Sequence, residues 1–229
     1  MTAADAPARV VRTIAARTHG RYVVAQPAGG RPAPLLVGFH GYGENAEAWL
    51  EQARRIPAAQ DWLVVSVQAL HRFYNTKTEA TIGSWMTSLD RDLLIADNLD
   101  YVRAVLDEVV RTWPVTGGLV YAGFSQGVAM AYRAAAFGGR ACQAIFALGG
   151  DVPPEVVRDP SAALPPTLIA CGTRDEWYPP AKLDADAAHL RERGVEVEAI
   201  VFDGGHDWGQ PYLDACERWL HGLRAENRL

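Results

Sequence analysis

The chain is 229 residues long, enough for one domain with a complete hydrophobic core, and its 49% apolar and 21% charged residues fit a globular protein rather than a disordered one. A net charge of −5 with scattered Lys and Arg argues against a nucleic-acid surface or a polybasic membrane patch. No apolar run approaches the roughly 18 residues that a membrane span needs, and the Ala-rich, charged stretch 1–12 lacks the apolar centre of a secretory signal.

Two extended stretches, 10–17 and 21–26, flank Thr18-His19-Gly20 and predict a hairpin over 10–26. A Gly/Pro-rich loop then leads to Leu35-Leu36-Val37-Gly38-Phe39, and similar apolar runs recur at 62–67, 119–124, 144–148, 167–171 and 195–202. Helical patterns fall between them. Leu99, Val102, Leu106 and Val109 share one face, with Thr87-x-x-Asp90 read as a capping box and Pro114 as the stop. The Ala-rich stretch 126–137 ends at Gly138-Gly139, the stretch 180–193 ends at Gly194, and 210–224 closes the chain as an amphipathic helix. Runs apolar on both faces, alternating with helices, predict a single α/β domain: a mostly parallel, twisted sheet with helices on both faces. The long irregular segment 69–88 is the kind a compact domain reserves for function, here a lid. Cys142, Cys171 and Cys216 are odd in number and lack metal-ligand spacing, which predicts free thiols in a reduced, cytoplasmic setting.

Gly123-Phe124-Ser125-Gln126-Gly127 has the Gly-x-Ser-x-Gly pattern, between a predicted strand and a predicted helix. That is the context of a nucleophile elbow, where small residues two before and two after the serine let strand and helix cross closely. A serine hydroxyl needs a histidine to remove its proton, and the histidine needs a carboxylate to fix its tautomer. His189 and His221 lie within predicted helices, whereas His206 occupies the Gly-rich loop Gly204-Gly205-His206-Asp207-Trp208-Gly209. His206 is therefore the candidate base. Asp175, projecting from the end of the run 167–171, is the favoured acid, and Asp151, after the run 144–148, is its rival. Asp203 and Asp207 stand too close in sequence to His206 to orient it.

An oxyanion hole needs two backbone N–H groups. Gln126 supplies one by position, and Tyr42, in the loop His40-Gly41-Tyr42-Gly43-Glu44-Asn45, is the best second candidate. His40 reads as a loop brace rather than a proton carrier. Trp85, Met86, Trp177, Tyr178 and Trp208 lie in or beside loops at the strand ends and are the candidate substrate-binding residues. With Phe39 and Tyr42 they predict an apolar pocket of limited length, covered by 69–88 with Gly83 as pivot and Trp85-Met86 as its underside.

These motifs, with Trp49, Cys171-Gly172-Thr173-Arg174-Asp175, Pro179 and Gly205-His206-Asp207-Trp208, resemble the phospholipase/carboxylesterase family of small α/β-hydrolases, which includes acyl-protein thioesterases. They stand in the family order from about residue 35 onward, and the resemblance implies Ser125, Asp175 and His206 as the triad. Val128 stands where members often carry a second glycine, and the segment from Arg72 to Asp90 differs from the usual loop over the acyl chain. Both departures bear on substrate rather than chemistry. Ser125 separates the chain from the similar dienelactone hydrolases, which use cysteine. The expected function is a serine carboxylesterase acting on a small-molecule ester through a covalent acyl-enzyme, with neither metal nor organic cofactor. The alternatives are a thioesterase or lysophospholipase with the same triad, or a catalytically silent binding module on this fold.

Overall fold

The computed structural model describes residues 9–225, so most of the stretch 1–12 discussed above lies outside the described residues. In chain order the elements are β1 (Arg21–Ala25), β2 (Ala33–Phe39), α1 (Ala46–Ala53), β3 (Leu63–Gln68), β4 (His71–Tyr74), β5 (Thr81–Ser84), α2 (Arg91–Thr112), β6 (Val115–Phe124), α3 (Gln126–Phe137), β7 (Ala144–Leu148), α4 (Pro154–Arg158), β8 (Thr167–Gly172), α5 (Pro180–Glu192), β9 (Val197–Phe202) and α6 (Gln210–Ala225). Seven strands form one sheet in the order β1-β3-β2-β6-β7-β8-β9, in which β1 pairs antiparallel and the others run parallel.

β2, β7 and β8 are buried along their whole length, because helices cover both faces of the sheet. Successive residues serve opposite cores. Val37, Val65, Tyr121 and Ile169 pack with α2, α3 and α5, while Leu36, Val64, Val120 and Leu168 pack with α1 and α6. From β2 the chain crosses to β3 on one side, and from β6 to β7 on the other. The loops after β2 and β6 therefore diverge to opposite faces and leave a crevice at the C-terminal edge, the topological switch point of an open α/β sheet.

Four expectations need correction. Residues 10–20 form no strand, and Val10 and Ile14 are 68% and 94% exposed. β1 pairs instead with β3, from Arg21↔Gln68 to Ala25↔Val64, which half-buries Tyr22 to Ala25 in a way no two-stranded hairpin could. The capping box fails because Asp90 is left-handed (φ 52°) and its side chain makes no capping bond. The segment 69–88 is no irregular lid, since β4 and β5 form a hairpin from His71↔Ser84 to Tyr74↔Thr81. Gly83 is no pivot either. Its N–H donates to the Glu44 carbonyl at 2.8 Å, and its carbonyl accepts the Gly43 N–H at 2.9 Å, which pins the hairpin to the loop after β2. α1 escaped the sequence reading although its signals are present: Asn45 caps it by accepting the Ala48 N–H at 2.9 Å, and Ala46, Trp49, Leu50 and Ala53 form its buried face.

A Cβ on Gly127 would stand 2.1 Å from the Phe39 carbonyl oxygen, whereas one on Gly222, inside α6, meets nothing within 4 Å. Gly127→Ala is expected to destabilise by about 3 kcal/mol or more, and Gly222→Ala to stabilise by about 0.5–1 kcal/mol. Urea denaturation of the two variants checks both signs.

Candidate active site

Ser125 joins β6 to α3 with φ 52° and ψ −120°, a conformation that costs a non-glycine residue on the order of 1–3 kcal/mol. The surroundings hold it there. Its N–H donates to the Leu148 carbonyl at 2.8 Å and its carbonyl accepts the Val128 N–H at 3.0 Å. A Cβ on Gly123 would meet the Gly127 carbonyl oxygen at 2.4 Å, so the bare backbones are what let strand and helix cross. Ser125 thus sits at the N-terminus of α3, where the helix field favours developing negative charge.

His206 follows β9, and its Nδ1 lies 2.8 Å from Asp175 Oδ2. Asp175 is buried, and its Oδ1 accepts the Trp177 and Tyr178 N–H groups at 2.9 and 2.8 Å. With Nδ1–H donated to this carboxylate, Nε2 is the ring's acceptor. Ser125 and His206 line one cleft of about 640 Å³ together with Gly41, Tyr42, Glu44, Phe124 and Trp177. Asp151 does not line this cleft but a neighbouring one, which Ser125 also lines. It is exposed and stands 3.6 Å from Lys182 Nζ. The two glycines before it provide clearance for the site. A Cβ on Gly149 would fall 3.0 Å from His206 Cε1, and one on Gly150 2.4 Å from the Ser125 carbonyl oxygen.

His40 is buried in the loop after β2. Its Nε2 accepts the Ala69 N–H at 3.1 Å and lies 3.1 Å from Gln68 Nε2, while Nδ1 lies 2.7 Å from the Gly41 carbonyl. Burial pushes its pKa down to about 4, so the ring is a neutral brace. The Gly41 N–H donates to Glu44 Oε2 at 2.8 Å, which leaves the Tyr42 N–H as that loop's candidate donor. The Gln126 N–H, first in α3, has no intrahelical acceptor by position.

The sequence profile of the phospholipase/carboxylesterase family matches residues 20–207. The chain belongs to this family. No curated protein matches it. Among solved structures it is similar to esterase PE8 (21% identity, 90% of this chain and 100% of that chain covered, TM-score 0.72). It is also similar to the Bacillus cereus carboxylesterase (19%, 89% and 94%, TM-score 0.67) and to Zea mays acyl-protein thioesterase 2 (20%, 89% and 99%, TM-score 0.65). At these identities the likeness shows the α/β-hydrolase fold, and the site must be argued from this chain's own residues. Among the described residues no helix is long and apolar enough to cross a membrane.

Within this family fold, the five candidate substrate residues separate. Met86, Trp177 and Tyr178 line a second cavity of about 350 Å³, which meets the first at Ser125 and Trp177. Trp177 is 76% exposed at the rim, whereas Tyr178 is buried and its hydroxyl donates to Asp186 Oδ2 at 2.9 Å. Trp85 is not the underside of a lid. It is fully buried against Phe39, and its Nε1–H donates to the His40 carbonyl at 2.8 Å, which satisfies the indole donor inside the core. Trp208 lines neither cavity and packs behind His206 on Phe124, with ring centres 5.6 Å apart. Three features went unread in the sequence: Ala129 in the second cavity, the Glu44 carboxylate in the first, and the Gln126 side chain. The last accepts the Trp85 N–H at 2.8 Å and donates to the Met86 carbonyl at 3.0 Å. A terminal amide one residue after the serine was the available signal for that tie.

Asp175→Asn is expected to lower turnover by on the order of 10⁴-fold through loss of tautomer control, and Asp151→Asn by only a few-fold; steady-state kinetics ranks them. His40 binds its proton less readily in the folded protein, so the unfolded chain holds more protons between pH 6.5 and about 4. Stability due to this site is full above that window and falls by about 3 kcal/mol as pH drops through it. Denaturation against pH should show this slope, and His40→Gln should flatten it.

Proposed function

We propose that the chain is a serine carboxylesterase that hydrolyses small to medium acyl esters. The observation that carries this reading is the strained Ser125 in the same cleft as His206, whose Nδ1 lies 2.8 Å from the buried Asp175. Ser125 Oγ attacks the acyl carbon while His206 Nε2 takes its proton, and Asp175 stabilises the imidazolium. The N–H groups of Tyr42 and Gln126 receive the developing oxyanion. The tetrahedral intermediate then collapses: its bond to the alcohol oxygen breaks, the electron pair leaves on that oxygen, and His206 returns the proton there. Water attacks the remaining Ser125 ester by the same route in reverse.

Because His206 must reach the leaving oxygen, the alcohol half belongs in the cleft that His206 lines. The acyl half belongs in the second cavity, with Met86, Ala129 and Tyr178. Its volume of about 350 Å³ and the charged Arg133, Asp151 and Lys182 in its lining support a limit on acyl length. The three cysteines are free, which supports the cytoplasmic setting read from their number.

A fluorophosphonate probe should label Ser125, located by mass spectrometry, and an unlabelled Ser125 in folded protein would sink the esterase reading. Ser125→Ala and His206→Ala should each abolish turnover without multiplying when combined. On p-nitrophenyl esters, kcat/KM should rise by about 0.8 kcal/mol per methylene and then fall beyond a short-to-medium chain. Ala129→Leu should move that maximum to a shorter acyl group. A preference climbing to long chains would favour a lysophospholipase or acyl-protein thioesterase instead.

A further inference from the structure

The cleft beside His206 is lined by one carboxylate, Glu44, and three aromatic side chains, Tyr42, Phe124 and Trp177, with no Lys or Arg among its walls. Glu44 is fixed on three sides. Its N–H donates to the Gly41 carbonyl at 3.3 Å, its carbonyl accepts from Gly83 at 2.8 Å, and its Oε2 accepts from Gly41 at 2.8 Å. Among the described residues, Oε1 has no protein donor and the carboxylate has no Lys or Arg partner.

This charge stands in the loop that holds the candidate oxyanion donor Tyr42. A negative charge there favours positive charge in the cleft, both the His206 imidazolium that forms with the oxyanion and a cationic group on the substrate. A carboxylate beside aromatic rings is the chemistry that holds an ammonium group, since the face of an aromatic ring attracts a cation. Tyr42 and Trp177 stand exposed at the rim, and Phe124 is buried beneath them. As a turn staple alone, Glu44 would need only an acceptor oxygen, which glutamine also provides.

We infer that the His206-side cleft takes esters whose alcohol carries an ammonium group, held by Glu44 with Tyr42, Phe124 and Trp177. This rests on the proposed assignment of the alcohol half to that cleft. On hydrolysis the carbon–oxygen bond to the amino alcohol breaks, the leaving oxygen takes the His206 proton, and the ammonium group departs unchanged.

The test compares butyrylcholine with 3,3-dimethylbutyl butyrate, which has the same shape with carbon in place of the charged nitrogen. The wild type should favour the choline ester by about tenfold in kcat/KM, and Glu44→Gln should bring the ratio near one. A wild-type ratio of one or below, or a ratio that Glu44→Gln leaves unchanged, overturns the inference. Calorimetry with choline chloride reads the site without turnover. Binding to the wild type should weaken about tenfold in Glu44→Gln, and no binding to the wild type would again overturn it. Hydrolysis of p-nitrophenyl acetate reads the esterase proposal separately. Cleavage of that ester with indifference to charge refutes the ammonium site alone. Glu44-dependent choline binding without any ester cleavage supports the site and refutes the esterase.

Discussion

Everything in this site hangs on one close approach of backbones, where the first turn of α3 crosses the end of β2. Gly127 passes so near the Phe39 carbonyl that a methyl group would stand 2.1 Å from its oxygen. That contact draws the start of α3 under the loop after β2, and so brings Ser125 beside Tyr42 and Glu44. The strain at Ser125 follows from the same approach, because the chain must reverse between an inward strand end and a helix leaving on the opposite face. Neighbouring backbone holds the strained turn through the bonds of Ser125 to Leu148 and Val128. Gly150 then clears the other side of that turn.

The histidine and its acid depend on parallel register rather than on local sequence. β8 and β9 end level, with Gly172 opposite Phe202, so the loops carrying Asp175 and His206 leave the sheet side by side. The acid loop is tightened by its own N–H groups, as Trp177 and Tyr178 both donate to Asp175. Tyr178 is anchored in turn by Asp186, which also accepts the Val152 N–H at 3.1 Å and ties the loops after β7 and β8 together. The polar groups at this edge are thus satisfied by loops from different strands, which couples their positions to the fold as a whole.

The hairpin β4–β5 shows how a segment that looks irregular can be rigid. Its register, its bridge to Glu44 through Gly83 and the amide of Gln126 all fix it on the rim. Trp85 serves as the buried post of this assembly, touching Phe39 and His40 and donating to the His40 carbonyl. An aromatic residue near an active-site loop reads as a substrate contact in sequence. Its burial shows that it shapes the wall from behind.

By itself the sequence determined features that depend on contiguous residues: the buried strands as apolar runs, the helices α2, α3, α5 and α6 from their patterns and stops, and the strand–turn–helix around Ser125. The glycines of that turn were legible because steric clearance acts over two residues either side. The candidates Asp175 and His206 were legible as well, through chain order and loop position. Only the tertiary structure decided what depends on non-local neighbours. Asp175 and Asp151 both leave strand ends through glycines, and what separates them is which loop lies beside β9. β1 found its partner in β3, from Arg21↔Gln68 to Ala25↔Val64, because that edge buries its apolar side chains and a local hairpin would not. Trp85 turned inward and the Glu44 carboxylate came to face the serine cleft for the same reason: side-chain direction at a loop is set by the elements packed against it, and no period in the sequence encodes them.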